Sequence, residues 1–169
     1  MDTEGNTDDA VFTTFVEAAW QRHFRLAMLL TGDPTRAEEL LQDSLVKLYA
    51  RWRRMRSPDD AHAYLRRILT NSQISWWRRT RRETLVADVP ERGYEAHGPH
   101  PDADVLRAAL RALPPHQRAV VVLRHYEDLS EREIAAVLGC TVGTVKGQNA
   151  RALQRLRTVL RRPELDPRR

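Results

Sequence analysis

The chain lacks most features that would give it chemistry of its own or carry it out of a reducing, aqueous compartment. It has one cysteine, Cys140, so no internal disulfide can form, which fits the cytoplasm. A small hydrophobe in a turn is the better reading of that thiol than a redox switch. The longest unbroken apolar runs, Leu26 to Leu30, Ala119 to Leu123 and Ile134 to Leu138, fall far short of the roughly 18 residues a membrane span needs. None of the six histidines has a cysteine or second histidine at metal-ligand spacing, so no metal site is expected. No phosphate loop and no nucleophile paired with a base is present, which argues against an enzyme, a cofactor or a small-molecule substrate. No stretch alternates in the manner of a strand, so the fold class expected is all-α. The acidic start, with Asp2, Glu4, Asp8 and Asp9, has the wrong charge for a secretory or transit peptide and reads as a frayed tail.

Basic charge is plentiful, and it is unevenly spread. The formal net charge is +5 over 169 residues, which makes a polyanion a plausible partner. Arg51 to Arg82 holds ten arginines against two acids, and Val105 to Arg169 holds thirteen Lys/Arg against six. Between them, VADVPERGYEAHGPHPDAD carries five acids against Arg92 alone, with three prolines and two glycines and no helical period. Residues 86–104 therefore read as a flexible acidic tether between two small helical domains, residues 10–85 and 105–162.

In the first domain Phe12, Phe15, Val16, Ala19, Trp20, Leu26, Ala27 and Leu30 recur at helical spacing, and Thr31 and Gly32 end that helix. Asp33 and Pro34 supply an N-cap and a favoured first-turn residue for a second helix built on Leu41, Leu45, Leu48 and Trp52. Ser57, Pro58 and Asp60 repeat the device before a third, whose stripe is Tyr64, Leu65, Ile68, Leu69, Ser72 and Trp76. The second domain runs as a helix over Val105 to Leu113, a break at Pro114 and Pro115, a helix over His116 to Tyr126, and two short helices. The first of these opens on Ser130 with Glu133 at the capping-box position, and Ile134, Val137 and Leu138 form its apolar side. Gly139 and Cys140 make a tight turn, and Thr141 caps the second, whose Val142, Val145, Leu153 and Leu156 face inward. That is a helix-turn-helix, in which the second helix enters the DNA major groove. Thr141 and Thr144, Lys146 and Gly147, and Asn149 and Arg151 are the candidate DNA contacts. Gly147 costs about 1 kcal/mol inside a helix relative to alanine, a cost that close approach of the backbone to DNA would justify.

Over nearly its whole length the sequence resembles the extracytoplasmic-function sigma factors of bacterial RNA polymerase, and in particular a compact, sigma-E-like actinobacterial subgroup. LLTGDPTRAEELLQDSLVKLYARW is similar to the region 2 segment that docks on core polymerase. AYLRRILTNSQISWWRR is similar to the part that opens and reads the minus-ten element, and LPPHQRAVVVLRHYEDLSEREIAAVLGCTVGTVKGQNARALQRLR to region 4. The resemblance implies a region 2 helical bundle and a region 4 helix-turn-helix. It assigns core-polymerase binding to Glu38, Glu39, Gln42 and Asp43, a polar edge that a solvated helix face would explain nearly as well. It places minus-ten contacts at Arg66, Arg67, Asn71, Ile74, Trp77 and Arg78; all of these but Asn71, together with Thr70, are expected off the buried stripe. Trp77 would offer an indole on which a separated strand stacks, whereas Trp76 is expected in the core. The loop Met55 to Ala61 would catch a flipped base, with Asn71 buttressing it. The tether would run through the polymerase cleft. Core polymerase and promoter DNA are the partners implied, and an anti-sigma factor is one the resemblance allows. No sensory domain is expected after Arg162. The rival reading is a polymerase-independent helix-turn-helix regulator whose N-terminal bundle dimerises or senses a signal.

Overall fold

The computed structural model describes residues 3–84 and 101–161. Every regular element among them is helical: α1 (Thr3–Thr31), α2 (Pro34–Tyr49), a single 3-10 turn at Trp52–Arg54, α3 (Pro58–Thr84), α4 (Pro101–Arg111), α5 (Pro115–His125), α6 (Glu131–Leu138) and α7 (Val142–Leu160). The all-α expectation holds. The chain gathers into two compact units, residues 1–80 and 81–169. Most of the expected tether lies outside the described residues. Its last four positions, 101–104, are already helical, because Pro101 suits the start of a helix and Asp102 and Asp104 meet the positive end of its dipole.

In the first unit the stripes read from the sequence converge on one core. Leu26, Leu40, Leu41, Leu48, Leu65 and Leu69 are fully buried, and Ala19, Ala27, Ala37 and Ala61 let the backbones approach. Each such leucine contributes about 1.5–3 kcal/mol of burial. Gly32, in the left-handed region at φ 72°, turns the chain out of α1. Asp33 then accepts the backbone N–H of Arg36 at 2.7 Å to open α2. The acidic start departs from expectation. It is not a frayed tail, since α1 begins at Thr3. Asp8 pairs with Arg53 at 3.1 Å and Asp9 accepts the Tyr49 hydroxyl at 2.5 Å, so two of its acids have long-range partners.

The second unit is built round α5, whose residues 117–123 are all buried. Val120, Leu123, Leu129, Ile134, Ala135 and Val145 form the cluster that joins α5, α6 and α7, and Cys140 packs at its edge as the sequence suggests. Arg118 is buried too. Its guanidinium donates to the carbonyls of Arg111 at 2.9 Å and Leu113 at 3.2 Å, satisfying groups that the end of α4 leaves unpaired. Burial first, and the Arg111 charge second, lower its pKa to about 10, so it stays charged at neutral pH.

Candidate nucleic-acid interface

The helix-turn-helix is assembled by local chemistry. Ser130 Oγ accepts the Glu133 N–H at 3.2 Å while Glu133 Oε2 accepts the Ser130 N–H at 2.7 Å, a complete capping box at the head of α6. Gly139 ends α6 in the left-handed conformation at φ 66°. Thr141 caps α7 by accepting the Thr144 N–H at 3.1 Å, and the two hydroxyls lie 2.9 Å apart. Val145, Ala152 and Leu156 then bury one side of α7.

The opposite side meets solvent. Thr141, Thr144, Lys146 and Arg151 are exposed, and Gly147 is half-buried. A Cβ built on Gly147 would have no atom within 4 Å, so no crowding inside the protein requires glycine there. Residues 142–160 contain no acid, so the whole face is positive. Lys146 leans toward the start of α6, where its Nζ lies 3.7 Å from Glu131 Oε2. Asn149 is half-buried: at four from Val145 and three from Ala152 it borders the inward stripe, and its Oδ1 is buried without a hydrogen-bond partner. Gln148 and Arg155, four and eleven positions on from Thr144, lie on the face it shares with Arg151.

On α3, Arg67 and Arg78 are exposed and Arg66, Asn71 and Trp77 half-buried. Asn71 Nδ2 donates to the Arg67 carbonyl at 3.0 Å, within its own helix. Ile74 is a correction. Only 6% exposed, it packs inward with the fully buried Thr70, whose hydroxyl donates to the Arg66 carbonyl at 2.9 Å. Trp76 is half-buried rather than core, with the Arg36 guanidinium 4.3 Å above its ring. Arg79, Arg81 and Arg82, in the run RRTRR, add exposed charge beside Arg78. The loop is shorter than expected, because Pro58 already begins α3 and Ser57 Oγ accepts the Asp60 N–H at 3.2 Å. Trp52, in the 3-10 turn before it, packs against Phe12 and Phe15 with ring centroids 5.0 and 5.1 Å apart.

On α2, Glu38, Glu39, Gln42 and Asp43 are all exposed, opposite the buried Ala37, Leu40, Leu41, Ser44 and Leu48. Gln42 donates to Glu38 at 3.3 Å and Arg36 pairs with Glu39 at 3.5 Å. Val46, 71% exposed, and Tyr49 carry the same face onward at helical spacing, an apolar extension that was not expected.

Among the described residues no group of side chains suits a metal ion, and no helix is long and apolar enough to cross a membrane. The sequence matches the family descriptions Sigma-70 region 2 over residues 15–83 and Sigma-70 region 4 over residues 103–156. It is 40% identical over 159 residues to the RNA polymerase sigma-E factor of Streptomyces coelicolor, covering 93% of this chain and 90% of that one. The sigma-E factor of Streptomyces antibioticus is 42% identical over 141 residues, with 82% and 78% covered. Among solved structures, the sigma factor RpoE in complex with the anti-sigma factor NepR from Bartonella quintana aligns at a TM-score of 0.75 and 27% identity, over 90% of this chain and 98% of that one. CnrH, solved with the cytosolic domain of CnrY, shares the fold at a TM-score of 0.61 and 24% identity, over 90% and 88%. Two matched regions in order, one capped helix-turn-helix and this degree of identity place the chain in the extracytoplasmic-function sigma factors, of the actinobacterial sigma-E kind.

Proposed function

We propose that this sigma factor, the promoter-specificity subunit of RNA polymerase, divides its work between three surfaces: the acidic edge of α2 for core polymerase, α3 for the minus-ten element, and α7 for the minus-thirty-five element. Catalysis belongs to the polymerase. The cytoplasm, where polymerase and promoter DNA meet, is its place of action. Residues 10–85 carry the first two tasks, residues 105–162 the third, and residues 86–104 the connection between them.

The observation that carries this reading is a recognition helix free of acids, with Thr144, Lys146 and Arg151 exposed, in one chain with an exposed carboxylate edge on α2. The first suits phosphates and base edges; the second suits basic side chains of a protein. On α3, Arg67 and Arg78 supply charge for the backbone, and the exposed part of Trp77 offers a ring for an unstacked base, worth about 1–3 kcal/mol. Binding free energy then offsets strand separation, and capture of an extruded base makes that offset depend on sequence. An anti-sigma factor is a partner class for this chain as well.

The test is reconstitution. Purified chain added to core polymerase should yield promoter-dependent run-off transcripts from genomic templates. Replacing Lys146 or Arg151 with alanine should lower promoter use about tenfold, the equivalent of one lost base or phosphate contact, with holoenzyme assembly intact. Equal loss of assembly and promoter use would sink the division of labour. Tight promoter binding by the isolated chain, with no change in what polymerase transcribes, would instead make it a free-standing regulator.

A further inference from the structure

Ser130 and Glu133 are committed to capping α6, each through its side chain and its backbone N–H. Glu131, at the first position of the same helix, takes no part in the box. Its carboxylate reaches across the turn to the recognition helix, 3.7 Å from Lys146 Nζ, with both side chains partly open to solvent at 37% and 64%. Residues 134–161 contain no acid, so beside Glu133, which is already engaged, Glu131 is the carboxylate nearest the DNA-facing helix in sequence.

A carboxylate there opposes raw affinity, because it repels phosphate from the surface that must approach it. Nor does an exposed ion pair of this kind contribute much to stability. Its effect falls on where Lys146 can go. A lysine is a compact charge on a flexible stem that settles on whatever anion lies within reach, and on duplex DNA that is usually a phosphate, which carries no sequence information. A carboxylate beside the ammonium restrains the stem and keeps a phosphate from occupying the same position. The remaining N–H groups are left for base-edge acceptors such as guanine O6 and N7.

We propose that Glu131 is a specificity-determining positioning residue, which holds Lys146 for base edges and away from phosphates. The inference rests on Lys146 facing the minus-thirty-five element. The experiment measures binding of reconstituted holoenzyme to a promoter identified by run-off screening and to the same promoter with its minus-thirty-five element scrambled, across a salt series. Glu131→Gln should raise affinity for the scrambled template several-fold, lower the ratio between the two templates about five- to tenfold, and steepen the salt dependence by about one released counterion. Glu131→Asp keeps the charge but withdraws it, and should lose discrimination in the same way; it also carries the test should the glutamine variant fold poorly. In a Lys146→Ala background, Glu131→Gln should leave the ratio where Lys146→Ala alone puts it. An unchanged ratio in Glu131→Gln, or the same change with and without Lys146, overturns the positioning role. Unaltered promoter use by Lys146→Ala alone instead overturns the placement of Lys146 on DNA, and the two failures are thereby told apart.

Discussion

At the scale of single residues, His23 shows most plainly what burial does. It is 1% exposed in the core of the first unit, with its Nε2 2.9 Å from Nδ1 of His62 and the two rings stacked. Burial first, and then the charges of His62, Arg22 and Arg66, push its pKa from 6.5 down to about 3. The folded protein therefore keeps His23 neutral where the unfolded chain would protonate it. Stability from this site is complete above pH 6.5 and declines as pH falls toward 3, by about 2 kcal/mol at pH 5. Denaturant titrations between pH 7 and 5 should show this decline in the parent and a flatter profile in His23→Gln, which still offers His62 a polar partner but does not titrate. Parallel profiles would show that other groups carry the pH dependence. The spacing of His23 from Ala19 and Leu26 puts it on the inward stripe of α1, but its neutrality follows first from burial and then in part from His62 and Arg66, which lie 39 and 43 positions away. Ile74 departs from expectation, and Asn149 sits at the border of its stripe, for a related reason. Their rotation on the helix is decided by what packs opposite, and a spacing of three or four tolerates either side of a stripe.

At the scale of elements, the caps were legible. Asp33, Ser57, Ser130 and Thr141 each accept a backbone N–H three residues on, and Gly139 closes α6, because these bonds need only a short polar side chain and its immediate successors. Element starts held by distant contacts were not legible: α1 was expected to fray where Asp8 and Asp9 in fact find Arg53 and Tyr49. Gly147 separates folding from function within one helix. Its added Cβ would meet nothing, so Gly147→Ala should stabilise the second unit by up to about 1 kcal/mol, seen as a higher thermal midpoint. If the glycine lets the backbone of α7 approach DNA, the same variant should initiate less well at its promoters. A variant both more stable and fully active would show the glycine to be a tolerated defect.

At the scale of the whole molecule, the separation of tasks predicts separable lesions. Reversing the charge of the α2 edge, with Glu39→Lys and Asp43→Lys together, should weaken binding to core polymerase at least about tenfold, measured by anisotropy of labelled protein. Its circular dichroism should be unchanged, since both side chains are exposed. Retained assembly would move the docking surface elsewhere, the exposed Val46 and Tyr49 being the next residues to change. The all-α class, the helix-turn-helix with its caps and its basic recognition face, and the likeness to sigma factors were determined by the sequence alone, because helical period, capping and charge are properties of near neighbours. The tertiary structure alone decided that Ile74 is buried, that His23 is held neutral against His62, that the acidic start is helix, and that Glu131 meets Lys146. Each of those outcomes depends on atoms far apart along the chain, and only packing brings them within reach.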